Sequence, residues 1–180
     1  MNYEVPFTIH TILVSATILF VAPIVLTCGA EYLFTKKLTL GVTSFVVIID
    51  LVFFTLGVIQ ITTSKVVLND DSLILKSLFY TNKTMLRDVE LTSGLHEASL
   101  PASFRPVLRE NGVGLFGYNA GTFKLNDGTS GFIMLSKPPY LVLGLKGHSG
   151  KLIFSANAYL YEALKSHLVK LTYEKITNMK

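Results

Sequence analysis

The sequence predicts an α+β protein built as a transmembrane helical hairpin over residues 1–60, followed over residues 61–180 by about seven short antiparallel strands and a C-terminal helix. Three observations carry this reading. Two charge-poor runs occupy the first third of the chain, alternating apolar runs broken by turn residues fill the middle, and leucines recur at helical spacing near the end. Composition agrees: 50% of the 180 residues are hydrophobic and 16% charged, with a mean hydropathy of +0.50, where ordinary soluble chains carry about a quarter charged residues. The apolar surplus is local. Residues 1–60 hold five charged side chains (Glu4, Glu31, Lys36, Lys37 and Asp50), and the other 120 hold 23. This profile disfavours disorder, a collagen, a disulfide scaffold and a plain cytosolic enzyme.

Residues 7–30 run 24 positions without Asp, Glu, Lys or Arg, and residues 38–59 run 22 positions with Asp50 as the one charge. About 20 such residues cross the hydrocarbon core as a helix, so spanning helices are expected over about 7–30 and 38–59, joined by residues 31–37. Two buried core helices would instead need more covering fold than 120 mostly strand-like residues supply. A secretory signal needs a basic start, and residues 1–6 contain no Lys or Arg. The same lack, together with Thr27 just before Cys28, argues against a lipoprotein site; a lone cysteine also excludes an intrachain disulfide. Pro23 lies near the end of the first run, where spanning helices tolerate a kink.

Asp50 sits near the middle of the second run. Counting equal distances from the connection places it level with about Thr17, with Ser15 and Ile18 nearby. An ionised, lipid-facing carboxylate at that depth costs a few kcal/mol or more, so Asp50 should face inward, be paired or be protonated. One reading is an ion or proton site; the other, favoured because no second charge lies at that depth, is an interhelical or dimer-forming hydrogen bond to Ser15 or Thr17. Lys36 and Lys37 on one side of the spans balance Lys65 and Lys76 on the other, so the positive-inside rule casts no vote on orientation.

Beyond Gln60 the period becomes alternating. Residues 65–68 and 73–75 are short β-branched runs about the turn Asn69-Asp70-Asp71-Ser72. Tyr80-Thr81-Asn82-Lys83 reads as the next turn and residues 85–91 as a third strand, before a less regular stretch through Pro101 and Pro106. Residues 115–125 resume as strand, Asn126-Asp127-Gly128 is the strongest hairpin turn in the chain, and residues 132–135 return from it. Lys137-Pro138-Pro139 turns again, and residues 140–146 and 152–154 flank the glycine-bounded turn Gly147-His148-Ser149-Gly150. Leu160, Leu164, Leu168 and Leu171 then form one stripe of a helix over about 157–172, with Ser155 or Asn157 available as its N-cap.

A strand, Asp-Asp, strand opening at residues 66–75 is followed by Arg109-x-x-Gly112, by Gly117-Tyr118-x-x-Gly121-x-Phe123, and by a strand ending in Phe154-Ser155 before the last helix. In these motifs, over roughly residues 64–172, the chain resembles the bacterial pleckstrin-homology-like (PH-like) domain membrane proteins. The resemblance implies a bent antiparallel β-barrel with one end stopped by the C-terminal helix, and it makes Arg109, Gly112, Gly117, Tyr118, Gly121 and Phe123 structural positions. It implies no chemistry, because the fold hosts many binding roles.

Motifs that could carry chemistry fall to plainer readings. Gly112-Val113-Gly114-Leu115-Phe116-Gly117 matches G-x-G-x-x-G but runs into strand-like residues, where a dinucleotide site needs a helix. Gly150-Lys151 lacks the earlier glycine and the following Ser or Thr of a phosphate-binding loop, and Ser130 lacks nucleophile-elbow spacing. His10, His96, His148 and His167 share no metal-ligand spacing, and His96-Glu97 reads as a solvated loop. No catalytic, cofactor or metal site is therefore expected. Residues 61–180 carry 14 Lys and Arg against 9 Asp and Glu, too scattered for nucleic acid. Asp70 and Asp71 in the first hairpin oppose the basic grip with which many PH domains hold phosphoinositides. The sequence thus reads as a non-enzymatic protein- or peptide-binding module at the membrane surface, in contact with the bilayer and with a protein partner or a second copy through the hairpin. The alternative is an accessory subunit of a transport or sensing complex that uses Asp50 as an ion or proton site.

Overall fold

The computed structural model describes residues 1–36, 40–96 and 98–177. In chain order these form β1 (Asn2–Glu4), α1 (Ile9–Ala16), a π-helical segment (Thr17–Val21), α2 (Ala22–Thr35), α3 (Leu40–Thr62), β2 (Lys65–Leu68), β3 (Ser72–Lys76), β4 (Thr81–Met85), β5 (Val89–Leu91), β6 (Pro106–Leu115), β7 (Tyr118–Leu125), β8 (Ser130–Leu135), β9 (Tyr140–Leu145), β10 (Lys151–Ser155) and α4 (Ala158–Thr177). The class is α+β, with an N-terminal helical hairpin and a C-terminal helix about a β-rich body.

Both arms of the hairpin are long and apolar enough to cross a bilayer, and their flanks, including Leu13, Val25, Leu33, Phe45 and Phe53, stand exposed. Thr8 caps the first arm by accepting from the Thr11 amide at 3.2 Å. The arm loosens into the π segment just before Pro23, whose ring nitrogen has no hydrogen to donate. It then continues through Thr35 and closes with Lys36 in the left-handed region. The first arm therefore runs farther toward the connection than the charge at Glu31 suggested, and α3 starts at Leu40. That moves the pivot of the hairpin, and each residue of displacement shifts the facing register by two. Leu19 stands against Gly57, and the rings of Phe20 and Phe54 lie 5.9 Å apart. Carried seven residues from Gly57, this register brings Asp50 level with about Leu26 rather than Thr17.

The β-rich body departs from the expected barrel. Ten strands, among the described residues, form two open sheets with orders β1-β2-β3-β4 and β5-β9-β10-β8-β7-β6. They do not close, and β10 inserts between β9 and β8, pairing parallel with the latter. Neighbour choice explains this: β9, β10 and β8 are buried on both faces, so their near-continuous apolar runs fit a central position beside any partner. The third expected strand is split. Met85 ends β4 in the first sheet, Leu86–Asp88 makes a 3-10 turn, and β5 starts the second sheet. β1, which pairs with β2 across the whole length of the hairpin, was not expected at all.

Val66, Leu73 and Leu75 from the first sheet, Leu143, Leu152 and Phe154 from the second, and Leu160 and Leu164 from α4 share one core. The leucine stripe thus holds the two sheets together where closure does not. Asn157 caps α4, its Oδ1 accepting from the Leu160 amide at 2.8 Å. On the far face of the second sheet, Leu100 and Phe104 from the irregular stretch cover Phe123, Ile133, Val142 and Ile153. Asp127, in the expected β7–β8 turn, takes the Lys151 ammonium at 2.8 Å, and this bond with those from Thr129 holds its carboxyl down to about 2.

The six structural positions that the resemblance names fall on the β6–β7 hairpin, and its other motifs fall on β2–β3 and at the end of β10. Gly112 and Gly121 face each other across it, and a Cβ on Gly121 would run into Asn111 O and Gly112 Cα. Gly121 also holds φ +118°, a region side chains rarely enter. Gly121→Ala is expected to destabilise the β domain by about 3 kcal/mol or more, whereas Gly128→Ala, at a positive-φ turn with open space, should cost about 1 kcal/mol. Melting temperatures of both variants in detergent check this order.

Candidate functional site

Gln60 in the last turn of α3 and Ser64 just after it leave the apolar run, and both are buried. The Gln60 amide donates to Ser77 Oγ at 2.9 Å and to Tyr118 Oη at 3.1 Å, while its Oε1 accepts from the Phe79 amide at 3.0 Å. Ser64 Oγ donates to the Gln60 carbonyl at 2.8 Å and lies 2.6 Å from Tyr118 Oη, which leaves the phenol as donor in that short bond. Ser77 Oγ in turn donates to the Tyr80 carbonyl at 3.1 Å. Both donor hydrogens of the Gln60 side chain are used, and its oxygen is bonded. Three elements meet in this cluster: the end of α3, the β3–β4 turn and the start of β7. Burial raises the Tyr118 phenol above its ordinary 10, against the opposing pull of its hydrogen bonds to Ser64, Gln60 and Ser77.

Beside the cluster lies a cavity of about 410 Å³. Ile18, Leu19 and Pro23 form one wall, Asp50, Phe53 and Gly57 the second, and Phe79, Val113 and Leu115 of the β domain the third. Gln60 marks one end along α3 and Asp50 the other, ten residues or about 15 Å away. Asp50 is 8% exposed, its Oδ2 is shut off from solvent, and its carboxyl has no hydrogen-bond or ion-pair partner among the described residues. The π segment and Pro23 also interrupt the hydrogen-bond ladder of the first arm. Without an amide hydrogen at 23, a carbonyl of the preceding turn, Ile18 in the π pattern or Leu19 in the α pattern, loses its helical partner.

Asp50 faces inward, as its charge demands, but the hydrogen bond expected from Ser15 or Thr17 is not formed within the chain. Ser15 is buried with its Oγ unpartnered, and Thr17 is exposed and donates to the Leu13 carbonyl at 3.0 Å. The displaced register explains both, since it carries these two residues toward the domain end of the hairpin. Of the motif positions, Tyr118 belongs to the polar cluster, Gly117 holds φ +73° at a hairpin tip against Thr11, Phe123 is core, and Arg109 stands opposite Phe123 on exposed β6. Gly112 to Gly117 run along β6 into that tip, with no helix after them. His96 sits in a loop, paired with Tyr140 and 2.7 Å from Ser93 Oγ, while Glu97 lies outside the described residues. Among the described residues no three metal-ligating side chains gather. Gln60, Ser64 and Ser77 were not singled out from sequence; the sole signal was a polar residue ending an apolar run. No protein-family model, curated protein or solved structure matches the chain.

Removing the phenol leaves buried partners of Gln60 and Ser64 unmade. Tyr118→Phe is expected to lower stability by about 1–3 kcal/mol, read as a lower melting temperature in detergent. Because the folded phenol titrates above 10, the stability it confers is complete below pH 10 and is lost as pH rises through its folded value. The variant should therefore show a smaller alkaline loss than the wild type as pH rises above 10.

Proposed function

We propose that this protein is a membrane-anchored, non-enzymatic binding module, with the hairpin in the bilayer and the β domain at its surface holding an extended segment of a partner protein. The exposed apolar flanks of both arms support the anchor, since in water they would form a patch far larger than soluble chains carry. Phe79, beside the hairpin, and Phe116, next to the Gly117 contact with α1, are exposed aromatics suited to the lipid–water boundary.

The edge of β6 carries the binding reading. It is the outermost strand of its sheet, ten residues long, and pairs with β7 alone. Register shifts at Pro106/Leu108 and Arg109/Asn111 break its alternation, leaving the neighbours Val107 and Leu108 58% and 61% exposed. An unpaired edge offers main-chain donors and acceptors to an added strand, and two outward apolar side chains give that strand an anchor. The motif resemblance to bacterial PH-like proteins adds to this reading without naming a ligand.

A photo-crosslinking residue at Val107 is expected to capture a partner in native membranes, where the same residue at Met85, on the edge of the other sheet, does not. Leu108→Lys should cut that yield about tenfold at unchanged melting temperature, because surface substitutions usually stay within about 0.5 kcal/mol. Equal capture from both edges, or a yield indifferent to Leu108→Lys, would remove β6 as the binding edge.

A further inference from the structure

We propose that the cavity between the hairpin and the β domain binds a membrane-soluble amine, meaning one cationic nitrogen on a slender apolar body. The polar groups of its wall decide the class. Both Gln60 amide hydrogens are taken by Ser77 and Tyr118 and its oxygen already accepts from Phe79, so it offers a ligand no donor. What remains is the unpartnered Asp50 carboxyl, an acceptor when ionised. An ammonium carries three donors and no acceptor and matches such a wall, while a carboxylate or phosphate head would meet like charge.

The remaining surface supports the same occupant. Ile18, Leu19, Val113 and Leu115 are apolar, and the rings of Phe53 and Phe79 attract a cation through their faces. Among the described residues no Lys, Arg or His lines the cavity, and none pairs with Asp50. A bare metal ion is disfavoured, since hard cations take six or more oxygens and the wall holds one carboxyl. The volume of about 410 Å³ falls in the small-ligand range, and the β domain closes one side, which leaves no room for a further helix about 10 Å across. Burial of a lone carboxyl in apolar surroundings is costly, and an ammonium at Asp50 would offset that cost.

The test uses the full chain in phosphatidylcholine nanodiscs with radiolabelled n-dodecylamine, measured against empty nanodiscs. The expected result is saturable uptake near one molecule per chain, displaced by unlabelled dodecylamine and displaced neither by laurate nor, at the same concentration, by dodecanol. Asp50→Asn, which keeps the shape and loses the charge, should weaken binding at least about tenfold, and Leu115→Trp, which fills the cavity with Asp50 intact, should weaken it comparably. Equal retention by wild type and Asp50→Asn, or displacement by dodecanol or laurate as effective as by the amine, would overturn the proposal in favour of a site for any alkyl chain. Absence of saturable uptake would overturn it outright. Should Asp50→Asn fail to assemble, the competition series with wild type and Leu115→Trp still decides the outcome.

Discussion

Gln60 holds the two halves of this protein together. Its amide reaches the β3–β4 turn and the start of β7 at once, and the backbone carbonyl of the same residue takes the Ser64 hydroxyl. Polar groups buried at such a depth cost free energy unless all are bonded, and here all of the Gln60 side-chain groups are. The cluster therefore specifies one arrangement of α3 against the sheets and penalises neighbouring ones. Phe79, Val113 and Leu115 reach the hairpin because of this arrangement, and the cavity exists because they do.

The first arm shows a complementary economy. A π segment followed by proline weakens the helix at the level where Leu19 meets Gly57 and Phe20 meets Phe54. Pro23 has no amide hydrogen for the ladder of this stretch. The interruption falls on the wall that faces the second arm, the arm that carries Asp50. Two departures from regular apolar helix, one in the backbone and one in a side chain, thus line the same space.

Much of the architecture was legible from local pattern. The two apolar arms, the turns at Asn69-Asp70-Asp71-Ser72 and Asn126-Asp127-Gly128, the β9–β10 hairpin and the Asn157 cap follow from length, turn chemistry and capping, all of which act over a few residues. What escaped depends on distant partners. Strand β6 is exposed along most of its length and lacks an alternating apolar face, so nothing marks it until β7 pairs with it. The change of sheet at Leu86-Arg87-Asp88 and the insertion of β10 between β9 and β8 are choices among neighbours to which apolar runs are indifferent. For the site, Asp50 stood out by its charge, but its facing residues depended on a pivot a few residues from where the charges placed it. Gln60 and Ser77 became meaningful only when folding put them 2.9 Å apart.

Strand β1 precedes the hairpin and β2 follows it, yet the two pair residue for residue, with Tyr3 against Val66. A sheet whose neighbouring strands are separated by an out-and-back excursion can form only if the excursion returns to the side from which it left. The pairing of β1 with β2 thereby ties the start of the first arm to the end of the second. Were the excursion not to return, the edge of β2 would stand bare and Val66 and Leu68 would lose the cover of Val5 and Tyr3.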